Sequence, residues 1–222
     1  MELSLQKLQF QEYVSKQLNH FFPDNKIVSF NHGDRSFNMA LDRTEYCFKD
    51  VILHSYNKNG HTFLNHLHSD QYTVFLWFLS NSVWKETANA ELANKLFYLN
   101  KALNGFSCMY DTNLPDIFLI LHSAGTVLGK AEYGNYLVVA QGTTVGAHKG
   151  IYPQIGKGVG LLPNSSVIGN SIIGDKVSIG INTTVYDMDV NSGNVVFTDK
   201  NGEIQLKRKE NCWAQKMYSV EI

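Results

Sequence analysis

Two histidines in the second half of the chain have the residue type and surroundings for proton transfer. They are His122, in Leu121-His122-Ser123-Ala124-Gly125, and His148, in Gly146-Ala147-His148-Lys149-Gly150. Imidazole changes charge near neutral pH, so a histidine presented at a turn suits general-base work on a hydroxyl. The other histidine cluster, His61, His66 and His68, is irregularly spaced and is a weak metal signal. Cys47, Cys108 and Cys212 are few, odd in number and far apart, which argues against a disulfide framework. They read as small buried apolar residues in a reducing cytosol.

The elements that must position His122 and His148 announce themselves by period. Large apolar residues recur every sixth position at Leu121, Val127, Tyr133, Val139 and Val145, and again at Ile155, Leu161, Val167, Ile173, Ile179 and Val185. Neither a helix nor a simple alternating strand has that repeat; a hexapeptide β-helix does. Three hexapeptides make one coil, so residues about eighteen apart should stack. His122 then follows a core position and falls at a corner. Between Val145 and Ile155 the repeat slips by four residues, which places a loop at Gly146–Pro153, as insertions in repeats commonly build a binding feature on one face.

Residues 1–110 lack this beat and read as mainly helical. An amphipathic stretch runs from Leu3 to Leu18 and ends before Pro23-Asp24; a second helix is expected from about Ser36 to Tyr56. Asn57–Gly60 reads as a turn. A third helix begins near Ser69 as N-cap, and a fourth covers about Ala88–Leu103 and stops at Asn104-Gly105. At the far end, Asn194–Thr198 and Glu203–Arg208 alternate around Asp199-Lys200-Asn201-Gly202, a hairpin signal. The expected fold class is α+β, with a helical N-terminal domain (1–110), a β-helix (111–190) and a C-terminal hairpin and tail (191–222).

Composition excludes several classes. The net charge is −1 and basic residues cluster only at Lys207-Arg208-Lys209, so there is no electrostatic case for nucleic acid. No apolar run spans a bilayer and no secretory leader opens the chain, so a cytoplasmic protein is expected.

The stretch His122-Ser123-Ala124-Gly125-Thr126-Val127-Leu128-Gly129, continued by Gln141–Gly146 and Tyr152-Pro153-Gln154-Ile155-Gly156, resembles the serine acetyltransferase branch of the hexapeptide-repeat acyltransferases. The resemblance implies a left-handed parallel β-helix, a homotrimer with active sites between subunits, and acetyl-CoA as cosubstrate with no metal. It makes His122 the base and calls for an orienting carboxylate shortly before it, Asp111 or Asp116. It places Gly142, Gly146, Ala147, Pro163 and Ile181 along the acetyl-CoA groove, with Lys149 near a phosphate and His148 and Tyr152 at the acceptor.

Departures from that pattern bear on the acceptor. Leu121 stands where the family has an Asp, and Ile151-Tyr152 stand where it has Arg-His. A zwitterionic amino acid needs charged partners in a desolvated site. The expected reaction is therefore O-acetylation of a sugar or glycan precursor, as in polysaccharide biosynthesis, with serine O-acetylation in cysteine biosynthesis as the rival reading. Ile222, a C-terminal Ile as in that branch, favours the rival. A zinc lyase on the same fold would need three converging histidines, whereas the β-helix carries only His122 and His148.

Overall fold

The computed structural model describes residues 1–222. Four helices form the N-terminal part: α1 (Lys7–Phe21), α2 (Arg35–Phe48), α3 (Ser69–Thr87) and α4 (Ala90–Asn104). α3 has no exposed face over most of its length: every residue from Asp70 to Val83 is buried, the polar Gln71, Thr73, Ser80 and Asn81 included, with α2 and α4 packed against it. A helix enclosed in this way lies at the centre of a bundle. The α4 terminus has the expected geometry, with Gly105 in the left-handed region at φ +65°.

Local structure departs from expectation in three places. The second helix stops at Phe48, because Val51 bridges to Tyr218 and Ile52 N–H donates to the Met217 carbonyl in the C-terminal tail. Pairing with the tail outweighs helix propensity there. The N-cap of α3 is His68, in extended backbone, and Ser69 is already helical. Residues Glu2–Leu3, Asn57–Lys58 and His61–Leu64 form a small sheet beside the bundle, with Asn59 and Gly60 completing the turn.

A parallel β-solenoid of about five turns follows. One face stacks Phe118–Leu121, Leu137–Ala140, Gly160–Leu161, Ser178–Ile179 and Asn194–Thr198. A second stacks Phe106–Ser107, Thr126–Leu128, Thr144–Gly146, Ser166–Ile168 and Thr184–Tyr186. The third holds Glu132–Tyr133, Gln154–Ile155 and Ile172–Ile173. In the later coils the register is eighteen residues, Gly160 on Ser178 and Ser166 on Thr184. Val139, Val145, Ile155, Leu161, Val167, Ile173, Ile179 and Val185 are all buried.

The first coil is out of phase with the sequence beat. Its inward residues are Ile120 and Leu128, 0% and 1% exposed, whereas Leu121 is half-buried and Val127 is 41% exposed. Leu121 pairs with Ala140 and Val127 with Thr144, so the five residues 122–126 stand opposite the three residues 141–143. The corner that carries His122 is therefore two residues longer than the corner stacked on it. A strict period of six passes over such a bulge and lands one residue out on each side.

Helices and solenoid share one apolar core. Trp77 and Phe78 of α3 pack on Phe118 at ring-centroid distances of 5.6 and 5.4 Å. Full burial of such a ring contributes about 1.5–3 kcal/mol. The far end is closed by the hairpin Asn194–Thr198 with Ile204–Arg208. The tail then returns along the first face: Trp213 N–H donates to Ser178 Oγ at 2.9 Å, Trp213 covers Gly160, and Tyr218 meets Tyr136. Ile222 is 5% exposed and fills the space beside Gly158, where a Cβ would come within 2.5 Å of it. No helix is long and apolar enough to cross a membrane.

Candidate functional site

His122 is exposed at the enlarged corner that follows the strand Phe118–Leu121. Its φ is +55°, a left-handed conformation that costs a residue with a Cβ on the order of 1–3 kcal/mol. Its backbone N–H donates to Asp70 Oδ1 at 3.0 Å. The next residue is anchored as well, since Ser123 Oγ donates to the Asn104 carbonyl at 2.8 Å. The start of α3 and the end of α4 thus grip the corner from below.

The two carboxylates expected beside His122 lie elsewhere. Asp111 pairs with Lys130 at 3.2 Å, beyond the next strand of the coil. Asp116 lines a groove of about 520 Å³ with Arg35, Asn38, Met39, Asp42 and Arg43. Between Asp116 and His122 runs the strand Phe118–Leu121, about 13 Å long at roughly 3.3 Å per residue. Neither is hydrogen-bonded to His122. The carboxylate in contact with His122 is Asp70, through the main chain.

His148 sits at the neighbouring corner. The inserted residues make a tight hairpin: His148 and Ile151 exchange backbone hydrogen bonds of 3.0 and 2.9 Å, with Lys149 at φ +49° and Gly150 at +78°. Two central residues in the left-handed region are the signature of a primed turn. The His148 ring is oriented by Asp187, with Nδ1 to Oδ2 at 2.7 Å. Asp187 also accepts the Asn170 N–H at 2.8 Å. That bond first, and His148 second, hold its carboxyl below the usual carboxylate range. Tyr186 Oη lies 2.9 Å from Nδ1 and 2.8 Å from Nε2. A hydroxyl equidistant from both nitrogens lies over the ring, in line with neither lone pair, so Asp187 is the orienting partner. Gly169, at φ +78°, leaves room for the pair: a Cβ there would stand 2.1 Å from Asp187 Oδ1 and 2.8 Å from His148 Cβ.

The residues expected along acetyl-CoA divide between these two corners. Gly142, Pro163 and Ile181 stack on the corner above His122, linked by Gly142 N–H to the Ala124 carbonyl and Asn182 N–H to the Pro163 carbonyl. Ile181 is 58% exposed. Gly146, Ala147 and Lys149 belong to the His148 corner, with Ala147 and Lys149 exposed. Tyr152 follows, also exposed. Two of the thiols are chemically quiet: burial pushes Cys47 and Cys108 up to about 12. His66 and His68 are engaged separately, His66 with Ser4 at 2.7 Å and His68 against Tyr56.

Asp70, Tyr186 and Asp187 are the residues that sequence reasoning missed. Asp187 was within reach, since it lies eighteen residues after Gly169 and stacks on it. Asp70 was not, because it lies 52 residues from its partner in another kind of structure.

No family model and no curated protein sequence matches the chain. Solved structures do match. Serine acetyltransferase isoform 3 of Entamoeba histolytica, in complex with cysteine, aligns at TM-score 0.61 and 18% identity over 90% of this chain and 73% of that one. Soybean serine acetyltransferase complexed with serine aligns at TM-score 0.60 and 17% identity over 78% of this chain and 70% of that one. A serine acetyltransferase in complex with CoA aligns at TM-score 0.50 and 15% identity over 63% of this chain and 57% of that one. The fold, helical bundle and solenoid together, is the fold of these proteins.

Proposed function

We propose that this chain is an acetyl-CoA-dependent O-acetyltransferase with His122 as general base. The observation that carries the reading is an exposed histidine, held at an enlarged solenoid corner, on the fold of the serine acetyltransferases. In the reaction the acceptor hydroxyl gives its proton to the His122 imidazole as its oxygen bonds to the thioester carbonyl carbon. The carbon–sulfur bond then breaks, and the thiolate takes the proton back as free thiol. The products are an O-acetyl ester and CoA. Proton transfer of this kind contributes about 10²–10⁴-fold to a rate.

Acetyl-CoA would run along the edge made by Gly142, Pro163 and Ile181, with Gly146, Ala147 and Lys149 of a second subunit opposite. This division of the groove residues between two corners supports active sites between subunits of a homotrimer. Exposed apolar side chains on the outer faces, Ile151, Ile172 and Tyr186, support packing between copies. Three unpaired cysteines support a reducing compartment, hence the cytoplasm.

Serine is the acceptor that the comparisons favour, since the aligned structures are serine acetyltransferases. A second reading, an uncharged sugar or glycan hydroxyl, is favoured by Leu121, Ile151 and Tyr152. The last two are exposed and apolar or aromatic beside His148. Ile222 lends serine no support, because its side chain is packed in the chain's own core.

The test is free-thiol release from acetyl-CoA by the purified protein with L-serine, nucleotide sugars and oligosaccharides as acceptors. Turnover with L-serine alone selects the first reading, and turnover with a sugar alone selects the second. No release with any acceptor, together with no acetyl-CoA binding by calorimetry, overturns the transferase reading.

A further inference from the structure

We propose that Asp70 is a positioning residue for His122, standing in for the solenoid strand that is absent beneath Phe118–Leu121. The proposal rests on the reading of His122 as base. Along the solenoid, corner amides bond to carbonyls of the coil before: Gly125 to Gly105, Gly142 to Ala124, Asn164 to Gln141 and Asn182 to Pro163, so at the His122 corner it is the end of the preceding strand that lacks a solenoid partner. The face that leads into His122 begins at Phe118–Leu121, so no earlier strand lies beneath it.

Two side chains of the helical bundle take the place of the absent strand. At the start, Phe118 N–H donates to Cys47 Sγ at 3.4 Å. At the end, His122 N–H donates to Asp70 Oδ1 at 3.0 Å. Asp70 is only 7% exposed and sits in the first turn of α3, where the helix dipole favours a carboxylate. The turn itself is fixed, since Asn100 Nδ2 donates to the Thr73 carbonyl at 3.0 Å and the Thr73 hydroxyl faces Ser123 Oγ at 3.4 Å.

Such an anchor matters most where the backbone is least stable by itself. His122 is in the left-handed region, at a corner two residues longer than the one stacked on it. Without the acceptor, the strained peptide can relax and carry the imidazole with it. A displacement of about 1 Å in a catalytic group is enough to cost on the order of 100-fold. Asp70 therefore acts through the His122 main chain.

The experiment compares wild type, Asp70→Ala, Asp70→Asn and His122→Ala. Turnover is read with acetyl-CoA and L-serine, or with the sugar that proves active in the acceptor panel. Backbone amide hydrogen exchange is read at His122 in the wild type. Asp70→Ala is expected to lose about 10- to 100-fold in kcat with KM for both substrates nearly unchanged. Asp70→Asn keeps an oxygen acceptor and recovers most of the lost kcat. The His122 amide of the wild type exchanges slowly although its residue is exposed.

A folded Asp70→Ala variant with wild-type kcat overturns the proposal, as does an Asp70→Asn variant no better than Asp70→Ala. If Asp70→Ala does not fold, amide exchange decides: an unprotected His122 N–H overturns the clamp. A His122→Ala variant that keeps its turnover removes His122 as base, while amide exchange still reads the clamp, so the two failures are distinguishable.

Discussion

The two solenoid histidines occupy adjacent corners and are held in opposite ways. At His122 the main chain is pinned, by Asp70 from a helix, while the ring stands exposed. At His148 the ring is pinned, by Asp187 two coils further on, while the main chain lies in a short exposed hairpin. A fixed backbone with an exposed ring suits a group that must meet a substrate proton. A fixed ring suits a group that shapes a wall or holds a ligand in one orientation. Both corners break the six-residue repeat, one by two residues and the other by four, so both histidines lie where the chain departs from regularity.

The largest effect that tests this contrast is kinetic. His122→Ala is expected to lower kcat about 10²–10⁴-fold, the usual contribution of a general base. His148→Ala should mainly raise KM for the acceptor, by less than about 10-fold. Steady-state kinetics with the active acceptor checks both, and a reversed ranking would move the base to His148.

Next in size is the phase of the first coil. Leu128→Ala removes a side chain that is 1% exposed and should cost about 2–5 kcal/mol. Val127→Ala removes one that is 41% exposed and should stay within about 0.5 kcal/mol. Denaturant unfolding of the two variants reads the difference. Equal losses would restore the unbroken beat and remove the bulge that carries His122.

The smallest effect concerns pH. The carboxyls of Asp187, Asp24 and Asp199 are held below their ordinary value, Asp187 by the Asn170 N–H first, Asp24 by Lys95 first and Asp199 by the Asn201 N–H first. A carboxyl depressed in the folded state stabilises above its unfolded pKa and loses that contribution as pH falls through the folded value. The melting temperature is therefore expected to stay level on descending to about pH 4 and to drop below it. In Asp187→Asn that drop should be shallower. An identical slope in wild type and variant would separate Asp187 from the pair with His148.

Much of this was legible in the residues. The period of six required a solenoid, the slip between Val145 and Ile155 located the His148 hairpin, and Gly105 ended α4 as a C-cap. These signals are local, written within one coil or one turn. The phase of the first coil was not legible, because Leu121 and Val127 keep the beat in sequence while the bulge between them turns Ile120 and Leu128 inward. The end of α2 was decided by the tail, through the Val51–Tyr218 bridge. The tail, residues 210–222, acquired a path only from the face it covers.

By itself, then, the sequence determined the repeat, the helical half before it and the histidine at its first corner, because backbone period and side-chain burial are set over six to eighteen neighbouring residues. The tertiary structure decided which carboxylate meets which histidine. Asp111 and Asp116 lie near His122 in sequence, yet a strand of the coil stands between each of them and that corner. Asp70 and Asp187 lie 52 and 39 residues from their partners and arrive by packing and stacking. A hydrogen bond depends on distance in space, and in a coiled chain that distance is set by the register of the coils and the docking of the bundle.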